Sequence, residues 1–130
     1  MNIIWDTGAL SLYFADHSEA KRYMQQITIK KSVGYIPRLI LAEFFYKTCQ
    51  KLGKEVAQIR LVALRQVPII EEVISEEEVL GIGMLKVRHS NLSLVDCVLV
   101  QLAKKHHATI LTTENPITTI KGIKARKFSY

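Results

Sequence analysis

The sequence predicts an α/β fold, a parallel sheet with helices on both faces. Short apolar runs alternate along the chain with segments of helical periodicity, and short loops join them. The first run, Ile3-Ile4-Trp5, is continuously apolar, as in a strand buried on both faces. With 130 residues, 48% hydrophobic and 23% charged, the chain has the size and balance of one globular domain, spanning 1–130. No internal repeat, linker or low-complexity segment divides it.

Ile3-Ile4-Trp5 forms the first strand and runs into Asp6-Thr7-Gly8. Gly8 to Phe14 can form a short helix, ended by Asp16-His17-Ser18. Ser18 is a good N-cap for a second helix, residues 19–30, whose Ala20, Tyr23, Met24 and Ile27 recur at helical spacing. Lys30-Lys31 suit the negative end of its dipole. Val33 to Ile36 is a short strand. Pro37 fits the first turn of a third helix, which runs to about Lys51 and stops at Gly53. A fourth helix covers 54–66 with Val56, Ile59 and Ala63 inward. Pro68-Ile69-Ile70 is the next short strand. Ser75, followed by Glu76, Glu77 and Glu78, is a capping box with an acidic first turn; it starts a fifth helix reaching about His89. Ser93 caps a sixth helix to about His106. Ala108 to Leu111 is a strand, and Lys124 to Phe128 a final edge strand.

Composition narrows the function classes. Lys plus Arg is 18 and Asp plus Glu 12, a net charge of +6, which suits a polyanionic partner. Cys49 and Cys97 lack CxxC spacing and read as buried free thiols of a reducing compartment. Asp6 interrupts any early apolar run, and no stretch approaches the roughly 18 apolar residues that cross a bilayer. The expectation is a cytosolic protein with no membrane contact. Gly81-Ile82-Gly83 lies inside a predicted helix without the third glycine of a dinucleotide loop, and there is no Walker loop. His17 and His89 are isolated and read as surface residues. His106 and His107 end a helix, where a cation suits the dipole, and have no acid or Cys at ligand spacing. Glu71, Glu72 and Glu76 to Glu78 read as a solvated helix start.

Four acids stand apart. Asp6 ends the first strand; in open α/β sheets that end borders the crevice where chemistry sits, although Asp is equally a common helix cap. Glu43 lies in Leu39-Ile40-Leu41-Ala42-Glu43-Phe44-Phe45-Tyr46, a helix apolar nearly all round and so expected to be largely buried. A buried charge there costs several kcal/mol unless something offsets it; an exposed face would allow a plain Glu43–Lys47 pair. Asp96, in Ser93-Leu94-Val95-Asp96, occupies the N3 position and can close a capping box, while its helix start also faces the crevice. Glu114 follows Leu111-Thr112-Thr113, repeating the pattern of the first strand, or is a turn residue before Asn115-Pro116. Several carboxylates cannot share a dry crevice as anions without a cation. Hard oxygen ligands without His or Cys favour Mg²⁺ or Mn²⁺ over zinc, and such an ion activates water and stabilises a phosphoryl transition state.

In order and local context, Trp5-Asp6-Thr7, Leu41-Ala42-Glu43, Ser93-Leu94-Val95-Asp96 and Leu111-Thr112-Thr113-Glu114 resemble the PIN-domain family of ribonucleases across essentially the whole chain. A stand-alone domain of this size looks most like the VapC-type toxins of prokaryotic toxin–antitoxin pairs. The resemblance implies a three-layer fold with a five-stranded parallel sheet, a homodimer, Mg²⁺- or Mn²⁺-dependent cleavage of RNA, and an antitoxin whose tail occupies a groove near the active site. It implies Asp6 and Asp96 as the direct metal ligands, with Glu43 holding water or orienting the nucleophile. Glu114 takes a fourth position where the family more often has Asp, which puts a second metal in question. Thr7 and Thr112 would orient the carboxylates, and Ser93 would steady Asp96. The reaction so implied is in-line attack of a metal-activated water on an RNA phosphate, with the 3′ oxygen leaving.

Two groups have alternative readings. Lys121, Lys124, Arg126 and Lys127 either protect an edge strand or contact the RNA backbone. Tyr13, Phe14 and Tyr23 belong to the core or line an antitoxin groove. The competing functions are a non-catalytic PIN-like module that binds RNA or protein, and a phospho-acceptor receiver domain. The receiver would need adjacent acids after the first strand, where only Asp6 stands.

Overall fold

The computed structural model describes residues 1–130. The elements in chain order are β1 (Asn2–Trp5), α1 (Thr7–Phe14), α2 (Ser18–Thr28), β2 (Val33–Pro37), α3 (Arg38–Leu52), α4 (Lys54–Arg65), β3 (Ile69–Glu72), α5 (Glu76–Arg88), α6 (Leu94–His106), β4 (Thr109–Thr112), α7 (Asn115–Thr118) and β5 (Lys124–Lys127). All strands are parallel, in the order β3-β2-β1-β4-β5. The chain moves outward from β1 through β2 to β3, then crosses back to β4 on the other flank of β1. That reversal opens a crevice at the carboxyl ends of β1 and β4. Ile3, Ile4 and Trp5 are all fully buried, so both faces of the central strand are covered, as their unbroken apolar run predicts. Helix α6 packs across β1 and β4 with α5 against it, while α1 packs with α2 and α3.

Register sets up the site. Trp5 pairs with Leu111, and the Asp6 N–H donates to the Leu111 carbonyl at 2.9 Å, carrying the ladder one residue further. Asp6 therefore stands beside Thr112 where the two strands end.

Several expected boundaries and environments shift. His17, not Ser18, caps α2: its Nδ1 accepts the Ala20 N–H at 3.3 Å, while its Nε2 lies 3.0 Å from the Ser129 carbonyl and its ring beside Phe128. His17 is therefore tied down, not isolated. Pro37 closes β2 and forms the N-cap of α3 instead of entering its first turn. On α4 the inward positions are Ala57 and Leu64, and Ile59 is exposed: the face that meets α3 is rotated from the one the apolar pattern suggests. Helix α3 is not buried all round, since Leu39 and Tyr46 are about half exposed. Cys97 is buried but Cys49 only half-buried.

The acidic stretch is not a solvated helix start throughout. Glu71 and Glu72 complete β3. Glu72 pairs with His106 at 2.7 Å, and His106 stacks on Tyr35. Glu78 is buried and accepts from Lys105 at 2.9 Å and Ser75 at 2.9 Å; those bonds outweigh burial and hold its carboxyl below the usual range. Gly81 faces the amide end of Gln101 on α6, which a Cβ there would displace. Tyr13, Phe14 and Tyr23 are partly buried against the core.

Candidate active site

The crevice collects three of the four singled-out acids. One carboxylate oxygen from each of Asp6, Asp96 and Glu114 lies within 4.8 Å of the others. Each arrives by a different route. Asp6 is delivered by β1 and begins α1, with Oδ1 accepting the Thr7 N–H at 2.7 Å. Asp96 is delivered by the start of α6, where the expected capping box is closed: its N–H donates to Ser93 Oγ at 3.0 Å and its Oδ2 accepts the Ser93 N–H at 3.3 Å. Glu114 follows β4 and is the N-cap of the short α7, so the segment at Asn115-Pro116 is a helical turn.

Thr112 links two of them. Its buried hydroxyl donates to Asp6 Oδ2 at 2.8 Å and accepts the Glu114 N–H at 3.1 Å. Glu43 stands outside the triad but on the same cleft. Its Oε1 accepts the Thr7 hydroxyl at 2.5 Å, and its Oε2 lies 4.0 Å from Lys47. Both roles considered for Glu43, a neighbour of the site and a partner of Lys47, therefore coexist. It reaches the crevice from the half-buried flank of α3, not from a fully buried helix.

The electrostatics follow from crowding. Asp6 is 5% exposed, and burial pushes its carboxyl from 3.8 to about 6. The hydrogen bonds from Thr112 and Thr7 oppose that rise, and Glu114 and Asp96 add to it. Glu114 is also raised, first by partial burial and then by Asp96 and Glu43, with Lys47 opposing. Without a cation the folded crevice therefore holds a proton on Asp6 up to about pH 6.

Beside the triad lies a cleft of about 210 Å³ whose lining includes Asp6, Glu43, Glu114, Lys47, Lys51, Arg60 and Tyr130. The last three escaped the sequence reading. Lys51 was legible in principle: Glu43, Lys47 and Lys51 recur every four residues on one helical face. Arg60 and Tyr130 carry no local signal. Gly8 was also missed as a site residue; a Cβ there would sit 2.1 Å from Thr113 Oγ1, so only glycine lets the start of α1 approach the loop after β4. The C-terminal basic residues are differently placed: Arg126 is bonded to Glu19 at 2.6 Å and Lys127 to Asn115 at 2.6 Å.

A five-stranded parallel sheet with three acids converging at its topological switch point defines a class: an α/β protein with a carboxylate crevice suited to a hard divalent cation. The family model described as PIN domain matches residues 3–120, and the chain belongs to that family. No curated protein matches it. Among solved structures it is similar to VapBC2 from Rickettsia felis bound to a DNA fragment from their promoter (TM-score 0.79, 16% identity, covering 99% of this chain and 100% of that one). It is similar to DNA-bound VapBC from Salmonella typhimurium (TM-score 0.77, 13% identity, covering 98% of each chain). It is also similar to Mycobacterium tuberculosis VapC20, a sarcin-ricin loop cleaving toxin (TM-score 0.68, 19% identity, covering 83% and 86%). At these identities the likeness is one of fold. No helix of the protein is long and apolar enough to cross a membrane.

Proposed function

We propose that this protein is a metal-dependent endoribonuclease, the toxin of a toxin–antitoxin pair acting in the cytoplasm. The observation that carries the reading is the meeting of Asp6, Asp96 and Glu114 oxygens within 4.8 Å on a PIN-domain fold. The donor set fits Mg²⁺ or Mn²⁺: all oxygen, with a buried Asp6 that resists ionising alone. Asp6, Asp96 and Glu114 would hold the ion, which when bound supplies water activation and neutralises charge on a phosphoryl group. The chain's own residues do the positioning. Thr7 and Thr112 pin both oxygens of Asp6, and the capping box pins Asp96. Glu43, held by the Thr7 hydroxyl, would accept a hydrogen bond from the attacking water.

Exposed apolar residues support protein partners. Val79, Leu80, Met84 and Val87 leave an uncovered apolar face on α5, which suits a second copy of the chain. Leu39 and Tyr46 on α3 and Ile59 and Val62 on α4 are further exposed apolar residues that would suit an antitoxin. The test is cleavage of a structured RNA by wild type and Asp6→Asn in Mn²⁺, Mg²⁺ or EDTA. The reading expects metal-dependent cleavage by wild type alone. Equal cleavage by both proteins would overturn it, and absence of cleavage under every condition would favour the non-catalytic binding module.

A further inference from the structure

We infer that the cleft wall formed by Lys51, Arg60 and Tyr130 is a subsite for an unpaired nucleotide next to the bond that is cut, with the Tyr130 ring as its stacking platform. This rests on the reading of the acids as a phosphodiester-cleaving centre. The cleft carries both signs of charge. Asp6, Glu43 and Glu114 share its lining with Lys47, Lys51 and Arg60. On α3 the change of sign takes one helical turn: Glu43, Lys47 and Lys51 follow each other at steps of about 6 Å along the axis. A polyanion whose reacting phosphate sits at the acids would meet Lys51 and Arg60 with its neighbouring phosphates.

These cations are available. Lys47 is partly neutralised by Glu43 at 4.0 Å, whereas Lys51, a turn further from the acids, has no such partner. The Arg60 guanidinium lies 5.1 Å from the centre of the Phe14 ring, a contact that places it without neutralising it. On β5, by contrast, Arg126 is neutralised by Glu19, and Lys127 is bonded to Asn115.

Tyr130 decides for an unpaired base. Tyr130 borders the cleft that Lys51 and Arg60 also line and is 91% exposed, so its aromatic ring is left uncovered there. A base can cover that face only if it is not stacked within a duplex.

The test is binding in EDTA, where no metal-dependent cleavage intervenes. A short fluorescein-labelled unpaired oligoribonucleotide and the same strand annealed to its complement are titrated by fluorescence anisotropy at several salt concentrations. Wild type should prefer the unpaired strand. Tyr130→Ala should weaken that binding by about fivefold or more and leave the duplex unchanged, with Tyr130→Phe behaving as wild type. Lys51→Gln and Arg60→Gln should each lower the slope of log affinity against log salt by about 0.7. No RNA binding by wild type, an unchanged Tyr130→Ala, or equal weakening of both strands would overturn the subsite. So would poly-L-glutamate binding with the same dependence on Tyr130 and Lys51 in place of RNA, which would make the wall an acidic-peptide site. Cleavage in Mn²⁺ is read separately on the same RNA. Cleavage with unaltered Tyr130→Ala binding drops the subsite and keeps the nuclease; altered binding without cleavage does the reverse.

Discussion

Asp6 carries a pH signature that can be worked through. In the metal-free protein its carboxyl titrates at about 6 when folded, against an ordinary 3.8. Below the lower value both states are protonated and the folded state carries no penalty from this group. Between the two values the folded protein holds the proton that the unfolded chain has released, so stability falls as pH rises. Above the upper value the penalty is complete, about 3 kcal/mol in order of magnitude. Asp6→Asn imitates the protonated form: its oxygen can accept the Thr7 N–H, and its amide can donate to Thr112 Oγ1 once that hydroxyl turns. Allowing roughly 1–2 kcal/mol for the rearranged hydrogen bonds leaves a net gain of about 1 kcal/mol at neutral pH. For a domain of this size that is a rise of about 4 °C in Tm. Thermal unfolding followed by circular dichroism in EDTA, from about pH 4 to about pH 7, reads both quantities. Asp6→Asn should be the more stable protein at neutral pH and lose most of the downward slope, the remainder coming from the raised Glu114 carboxyl. A variant less stable than wild type, with the slope intact, would refute the reasoning and leave Asp6 as an ordinary helix cap.

Other substitutions probe the supports around the acids. Thr112→Val removes the hydroxyl that serves both Asp6 and the Glu114 N–H, and metal-dependent cleavage should fall about 10- to 100-fold, with Thr112→Ser restoring it. Gly8→Ala forces a Cβ against Thr113, and chemical denaturation should show a loss of about 1–3 kcal/mol. Ser93→Ala removes the acceptor of the Asp96 N–H while leaving the Ser93 N–H to hold the Asp96 carboxylate, and it should lower stability by about 1 kcal/mol in chemical denaturation with Mn²⁺ binding nearly unchanged.

The fold was legible because β1 and its neighbours are buried strands in short loops, and burial on both faces writes itself as an unbroken apolar run. The convergence of Asp6 and Asp96 was legible because caps and strand ends are local events with local signals: Ser93 and Asp96 lie three residues apart, and Asp6 directly follows Trp5. Glu114 was less so, since its arrival depends on the register between β1 and β4, which no local pattern encodes. The misread faces share one cause. Apolar residues on α3 and α4 that look inward by composition, Ile59 above all, face outward because the helix surface they occupy is not the one the rest of the fold covers. Arg60 and Tyr130 were invisible because their meaning comes from proximity across the fold, to Phe14 and to the α3 wall. His17 was invisible for the same reason, through its contacts with Ser129 and Phe128.

The most direct measurement is Mn²⁺ titration into metal-free protein by calorimetry, for wild type, Asp6→Asn, Asp96→Asn and Glu114→Gln. If the three carboxylates jointly grip the ion, wild type gives a saturable isotherm and each substitution weakens it by at least about tenfold. Isotherms that coincide for all four proteins would contradict the account.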